Sequence, residues 1–343
     1  MKGVHSWGRE DGYVQSGISR IAIERPRLRG PNGEIAIPEY KKLQSKKEYT
    51  ESVRRAVMGG LCTRSFERVG EALGSSKGLS KTQISRVSKS FALDYQKLME
   101  QDLGDIKAVI IDGIHFDKDL CLVAALGVSQ FGAKRLLGLW AGSTEGAELM
   151  KTVMSEMKNR NLNPKLFVID GSKALKSSID KNYPWVPVQR CQVHKRRNVI
   201  GHVGEKHEAW AQAQMGKIFQ SETVEIALAH GKQFAADLMK INETAARSWL
   251  EAFPETITCL QIKDKDLRRS FSTTNAIESL FSSVRLVTGR VKRWRNSNHA
   301  LYWTAGAYFR IQPNMRKVRG FRSLNQLDLI VKIDNENKQQ KAA

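Results

Sequence analysis

"KAVIIDGIHF", residues 107–116, ends an apolar, β-branched run on an aspartate and a glycine. "KLFVIDG", residues 165–171, repeats the pattern. Runs of this kind read as buried strands. Each would carry a carboxylate, Asp112 or Asp170, where the strand stops. A lone strand-end aspartate merely starts a turn. Two of them at one edge of a sheet would repel unless a cation lay between. Hard oxygen ligands select Mg²⁺ or Mn²⁺. A glycine after each lets the chain turn sharply and leaves room for a substrate.

Around these runs the pattern is regular. "LCLVAALGVS" (120–129) and "KRLLGLWAG" (134–142) read as two further strands, and "GAELMKTVMSEMKNRN" (146–161) has helical spacing. After "KLFVID" come a helix in "SKALKSSIDKNY" and a strand in "PVQRCQV". The order β-β-β-α-β-α-β predicts an α/β fold: a mixed sheet with helices on both faces. Residues 205–256 show helical periodicity alone. "STTNAIESLFSSVRLVTGRVKRW" (272–294) predicts a helix from about Thr273-Thr274, with Glu278 in its second turn.

Upstream, residues 1–45 are rich in Gly, Pro and charge and read as extended or loop, with a short hairpin at Pro31-Asn32-Gly33. Two helices should follow. One covers about 63–73, and the other starts at Ser80, where "SKTQ" fits a capping box. A helix, a Gly-containing turn and a helix outline a helix-turn-helix-like DNA-binding segment over about 63–101, or an ordinary α-hairpin. On its second helix Arg86 and Lys89 are candidate DNA contacts.

Charge points to a polyanionic partner. Lys and Arg outnumber Asp and Glu by 56 to 35, a net charge of +21. From Ser279 to Leu327 there is no acid and there are ten bases. Arg285, Arg290, Lys292, Arg293 and Arg295 are the first of them and are taken as contacts to DNA phosphates. Trp294, set among bases, is a candidate for stacking on a displaced nucleotide. Glu278 opens this acid-free stretch and is the candidate third carboxylate of a two-metal site. Asn275 lies one turn before it on the same face.

The four cysteines, Cys62, Cys121, Cys191 and Cys259, are far apart and form no Cys-x-x-Cys pair, so neither a zinc ribbon nor a disulfide framework is indicated. Cys191 and His194 form half a zinc motif with no second half. "MKGVHSWGREDG" has no apolar leader, and no run is long enough to span a membrane, so a cytoplasmic, DNA-associated protein is expected.

The order Asp112, Asp170, Glu278, spaced by 58 and 108 residues, resembles the DDE triad of the Mutator family of bacterial insertion-sequence transposases. "QRCQVHKRRNV" (189–199) resembles that family's Cys-x-x-His motif, and "TTNAIESL" the segment carrying its last acid. "GAKRLLGLWAGSTEGAEL" (132–149) also resembles the family, with Gly146 where Asn is usual. The resemblance covers about 105–320 well and the first hundred residues loosely.

The resemblance implies an RNase H-like catalytic domain over 105–331, interrupted by an all-helical insertion at about 202–268. An N-terminal helical DNA-binding region would occupy 1–104; the polar composition of the tail, 332–343, reads as disordered. It implies a transposase that binds the inverted ends of its element, with two divalent ions held by Asp112, Asp170 and Glu278. Cys191, His194 and Asn275 would support that site, and Lys195, Arg196 and Arg197 would face DNA. The partners would be element ends, target DNA and further copies of the chain, with no membrane. A nuclease that cuts without joining, or a non-catalytic DNA-binding regulator derived from a transposase, are the alternatives.

Overall fold

The structure is a computed structural model. It describes residues 4–342 except 17–18, 45, 60–80, 118–119, 143–145, 290 and 292, with some further side chains left out. The chain divides into two compact units, Met1–Asp94 with Leu286–Arg293, and Tyr95–Arg285 with Trp294–Ala343.

The first unit opens with β1 (His5–Ser16), β2 (Ser19–Gly30) and β3 (Gly33–Ile35), paired antiparallel in that order. The segment read as extended or loop is thus a sheet. The expected hairpin is there: Gly30 pairs with Gly33 across Pro31-Asn32, and Gly33 has φ +113°. Pro26 is tolerated in the middle strand because it lies opposite an irregularity in β1 and beyond the reach of β3. Helices α1 (Pro38–Leu43) and α2 (Lys46–Met58) follow.

Of the two helices expected around a turn, the second is α3 (Lys81–Glu100), whereas 63–73 lies outside the described residues. Val53, Val57 and Met58 of α2 are buried, as are Val87 and Phe91 of α3. The Arg54 guanidinium pairs with Asp94.

The second unit is built on five strands: β4 (Ile106–Asp117), β5 (Leu120–Ser129), β6 (Lys134–Gly142), β7 (Leu166–Ile169) and β8 (Val188–Arg190). Their order is β6-β5-β4-β7-β8. The first three run antiparallel, and β7 and β8 continue parallel to β4. Helix α4 (Ala147–Asn159) leads into β7 and α5 (Lys173–Asn182) into β8, the order expected from the sequence. Val109, Ile111, Phe167 and Ile169 share a core with Met150, Val153 and Met157 of α4 and Leu175 of α5. Side chains alternate along a strand, so Asp112 and Asp170 fall on the opposite face.

After β8 the chain is helical: α6 (Gln192–Val203), α7 (Glu205–Phe219), α8 (Val224–Ile241), α9 (Glu243–Leu250) and the single turn α10 (Phe253–Thr256). Their core closes around Trp249, fully buried among Phe219, Phe234 and Phe253, its indole N–H donating to the Gly231 carbonyl at 2.9 Å. Val199 and Val203 of α6 belong to this core, so the helical block starts at the end of β8.

Then come α11 (Lys265–Phe271), α12 (Asn275–Thr288), α13 (Ser297–Ile311) and α14 (Gln326–Ala342). The expected disordered tail is instead the continuation of α14. Its "NENKQQKA" holds no Gly or Pro and is mostly good helix formers, and Leu327 and Ile330 anchor its first turns in the interior.

Candidate active site

The strand register decides where the two aspartates go. Ala108 pairs with Leu166, and the pairing runs residue for residue to Ile111 with Ile169. Asp112 and Asp170 are the next residues on each strand. The 58-residue interval in the sequence is the register offset of two adjacent parallel strands, which lie about 4.8 Å apart. Ile169 is likewise paired with Arg190, and the Cys191 amide donates to the Ile169 carbonyl at 2.7 Å. Asp112, Asp170 and Cys191 therefore form one row. Asp170 and Cys191 lie just past the ends of β7 and β8, whereas Asp112 does not end its strand as the sequence suggests, because β4 leaves β7 there but stays paired with β5 as far as Asp117.

Each side chain is fixed locally. Asp112 Oδ1 accepts from the Gly113 amide at 2.9 Å, and Asp170 Oδ1 from the Ser172 amide at 3.0 Å. Ser172 then caps α5 through the Leu175 amide. No Lys or Arg is ion-paired with either aspartate among the described residues. Burial and the neighbouring Asp170 carboxylate push the Asp112 carboxyl up to about 7. Glu278 adds to the rise, while the Gly113 amide and His194 oppose it. The Asp112 carboxyl thus senses Asp170 and the His194–Glu278 side of the site.

Glu278 lies in the first turn of α12, which starts at Asn275, slightly later than the sequence suggests. Its Oε1 faces His194 Nε2 at 3.2 Å, and His194 lies in the first turn of α6. Buried Thr274 donates its hydroxyl to the same Oε1 at 2.8 Å. The Thr274 amide and hydroxyl each lie 3.4 Å from Cys191 Sγ. A hydroxyl has one proton, which goes to the carboxylate, so the Cys191 thiol donates to Thr274 in turn. Cys191, Thr274, Glu278 and His194 form one hydrogen-bonded chain joining β8 and α6 to α12. One donor atom each from Cys191, His194 and Glu278 lies within 4.8 Å of the others, a spacing that also suits a metal. The contacts to Thr274 already occupy Cys191 Sγ and one oxygen of Glu278.

The basic candidates divide. Lys195, expected to face DNA, is buried. Its ammonium donates to the carbonyls of Ser248 and Glu251, each at 2.6 Å, and so holds the C-terminal end of α9. Burial lowers its pKa to about 8. Arg196 is half-buried, its guanidinium 5.1 Å from the centre of the Phe219 ring. Arg197, Arg285, Arg293 and Arg295 are exposed, as are Lys89 and Asn275. Arg290 and Lys292 lie outside the described residues, as does the Arg86 side chain. Trp294 is half-buried, edge-on to Phe116 at 5.1 Å, on the strand that carries Asp112.

Two participants escaped the sequence reading. Arg190 donates to the carbonyl of Gly171, the residue after Asp170, at 3.3 Å and to Glu255 at 2.7 Å, steadying the turn that carries the aspartate. Thr274 lies in the segment that carries Glu278, and the sequence assigns it no role. A hydroxyl residue four positions before a helical glutamate was its only signal.

These features have relatives. The profile described as Transposase, Mutator family, matches residues 7–303. The chain is 28% identical to the transposase for insertion sequence element IS6120 of Mycolicibacterium smegmatis, over 67% of this chain and 73% of that protein. A probable insertion-sequence transposase of Corynebacterium diphtheriae is also 28% identical, over 58% of each chain. The transposase for element ISRM3 of Rhizobium meliloti (strain 1021) is 31% identical over 50% of this chain and 43% of its own length. The protein is a transposase by descent: with most of its length matched, it belongs to the Mutator family.

Proposed function

We propose that this protein is a metal-dependent DDE transposase that cuts DNA at the inverted ends of its element and joins those ends to a target. The observation that carries the proposal is the register of β4 and β7, which sets Asp112 beside Asp170 with no cation paired to either among the described residues. The order β6-β5-β4-β7-β8 supports an RNase H-like core. The α6–α10 helices lie between Asp170 and Glu278, where an all-helical insertion is expected.

The donor set fits divalent ions. Asp112 and Asp170 offer hard oxygens, and the rise of the Asp112 carboxyl reflects its burial first and the neighbouring Asp170 charge second, both of which a bound cation would offset. Asp112, Asp170 and Glu278 would hold two Mg²⁺ or Mn²⁺ ions. When bound, the metals would favour ionisation of the attacking oxygen, of water and then of the freed 3′-hydroxyl, and offset charge on the leaving oxygen. The protein's own residues fix the geometry. Thr274 and His194 hold Glu278 by one oxygen, leaving the other to coordinate. Arg190 holds the Gly171 turn. The exposed bases Arg285, Arg293 and Arg295 would neutralise DNA phosphates, and the N-terminal region with α3 would read the ends. Pairing two ends requires more than one copy of the chain.

The test is a strand-transfer assay. Purified full-length protein is mixed with Mg²⁺ and a linear duplex ending in the inverted repeat that flanks its gene. Cleaved ends and joined products are expected, both lost with EDTA. Cleavage without joining would leave a nuclease, and binding without cleavage a regulator.

A further inference from the structure

Gln192 and Arg196 are four residues apart and share one face of α6, whereas His194, two residues from each, projects from another. On the Gln192–Arg196 face lies a cleft of about 610 Å³, closed by the end of α7 and by α11. Arg196, Lys265, Arg268 and Arg269 line it, and no carboxylate does among the described residues. None of the four is ion-paired among the described residues, whereas Lys173, Lys176, Arg190 and Arg247 of the same unit are.

Two of the four are preset. Arg268 spends Nε and Nη2 on the Ile262 carbonyl, at 2.9 and 2.7 Å, and keeps Nη1. Arg196 is held over the Phe219 ring. Lys265 and Arg269 are exposed beside them. The cleft borders the candidate active site. The Gln192 amide donates to the Ser272 carbonyl at 3.0 Å, and both residues line the cleft. Cys191 adjoins the first and Thr273-Thr274 the second, so one wall serves both sites.

We infer that this cleft holds the phosphodiester backbone of the DNA strand running past the Cys191–Thr274 wall, a sequence-independent phosphate site apart from the acids. The inference rests on the reading of the chain as a DNA-acting transposase. Four unopposed cations suit successive phosphates, each a full negative charge. The lining offers a base no free aromatic face, because Arg196 covers Phe219.

Lys265→Gln with Arg269→Gln removes two exposed cations that hold nothing else. Lys206→Gln with Lys232→Gln, two exposed lysines elsewhere, is the charge-matched control. Affinity for element-end and random duplexes is measured in EDTA by fluorescence anisotropy between 50 and 200 mM salt. Two lost phosphate contacts lower the salt slope by about 1.8, so the variant loses about twelvefold less affinity over that range than wild type, on both duplexes. Each single substitution gives about half the slope change, which serves if the double variant unfolds. A slope equal to that of wild type or of the control overturns the inference while the transposase reading stands. So does loss of inorganic phosphate binding, by calorimetry, with the duplex slope intact, which would mark a free-phosphate site. If wild type shows no salt-dependent duplex binding, the transposase reading falls and the inference with it.

Discussion

Two groups of carboxylates sit near the ends of β7 and β8 and are treated in opposite ways. Glu255 is met by Arg190 at 2.7 Å and by Lys176 at 3.4 Å. Asp112 and Asp170 face each other with no cation paired to them among the described residues, although Arg190 is the register neighbour of Ile169, one residue before Asp170. The Arg190 guanidinium turns instead to Glu255 and the Gly171 carbonyl. The first arrangement is what folding alone would select, since a nearly buried charge without a partner is costly. The second leaves a like-charge pair in the fold, and strained electrostatics of that kind cluster where chemistry is done.

The sharpest way to break the contrast is to remove one charge from the unmatched side. Glu278→Gln keeps the shape of the side chain and lets Thr274 still donate to it, but removes the charge that would hold a metal. Cleavage and strand transfer should fall at least about a thousandfold, equivalent to about 4 kcal/mol in the barrier. Thermal unfolding and end binding should stay near wild type. An active Glu278→Gln protein would reduce Glu278 to the partner of a histidine.

The same charge deletion on the matched side should reverse the pattern. Glu255→Gln strands the Arg190 guanidinium, whose side chain is only 9% exposed. A loss of about 3 kcal/mol in urea unfolding is expected, the low end for a broken buried pair because Glu255 and Lys176 keep some water contact. Activity per folded molecule should change far less than in Glu278→Gln. Equal losses of stability in both variants would erase the distinction.

A third contrast is between cations. Eight of the ten bases between Ser279 and Leu327 lie among the described residues, and all eight are exposed with no ion pair among those residues, whereas Lys195, a DNA candidate by sequence, is spent on helix carbonyls. Replacing Arg285, Arg293 and Arg295 together by Gln should flatten the salt slope of DNA binding by about 2.7, an affinity difference of about fortyfold between 50 and 200 mM, for every sequence alike. Lys195→Gln should cost stability and leave the slope alone. An unchanged slope in the triple variant would make the basic stretch a solvated surface.

These cases mark where sequence reading reaches. The two aspartates were legible because buried β-branched runs announce strands, and the 58-residue interval proved to be a register offset. The run of β4 past Asp112 to Asp117 was not, because the apolar run breaks at Asp112-Gly113 while the pairing with β5 continues. The helical block before Glu278 was legible from its period. Lys195 and the Arg190–Glu255 pair were not, because a charge near a motif looks the same whether it meets solvent or a carbonyl 53 residues away in the chain. The N-terminal sheet was blurred by Gly, Pro and charge, since β1 and β2 carry few apolar residues to alternate. The tail failed for another reason. Polar composition suggests disorder, but helix formers attached to an anchored helix have only to propagate it.

The most direct probe of the unmatched pair is its own titration. Asp112 is held at about 7 in the fold, against about 3.9 for an unfolded aspartate. Between those values the folded chain keeps a proton that the unfolded chain has released. A state that binds more protons loses ground as protons become scarce, so the metal-free protein should lose stability as pH rises from about 4 to 7. The contribution is fully present below the lower value and gone above the upper one, with a slope of at most about 1.4 kcal/mol per pH unit from this group. Urea unfolding in EDTA across that range, wild type against Asp112→Asn, isolates it. The difference curve should show the variant gaining on wild type toward neutral pH and levelling off above it. Mg²⁺ should then stabilise wild type progressively as the carboxyl gives up its proton, and leave Asp112→Asn nearly unmoved. Parallel curves in EDTA would mean that Asp112 ionises as freely in the fold as in water. The pair would then be no more strained than the Glu255 cluster beside it.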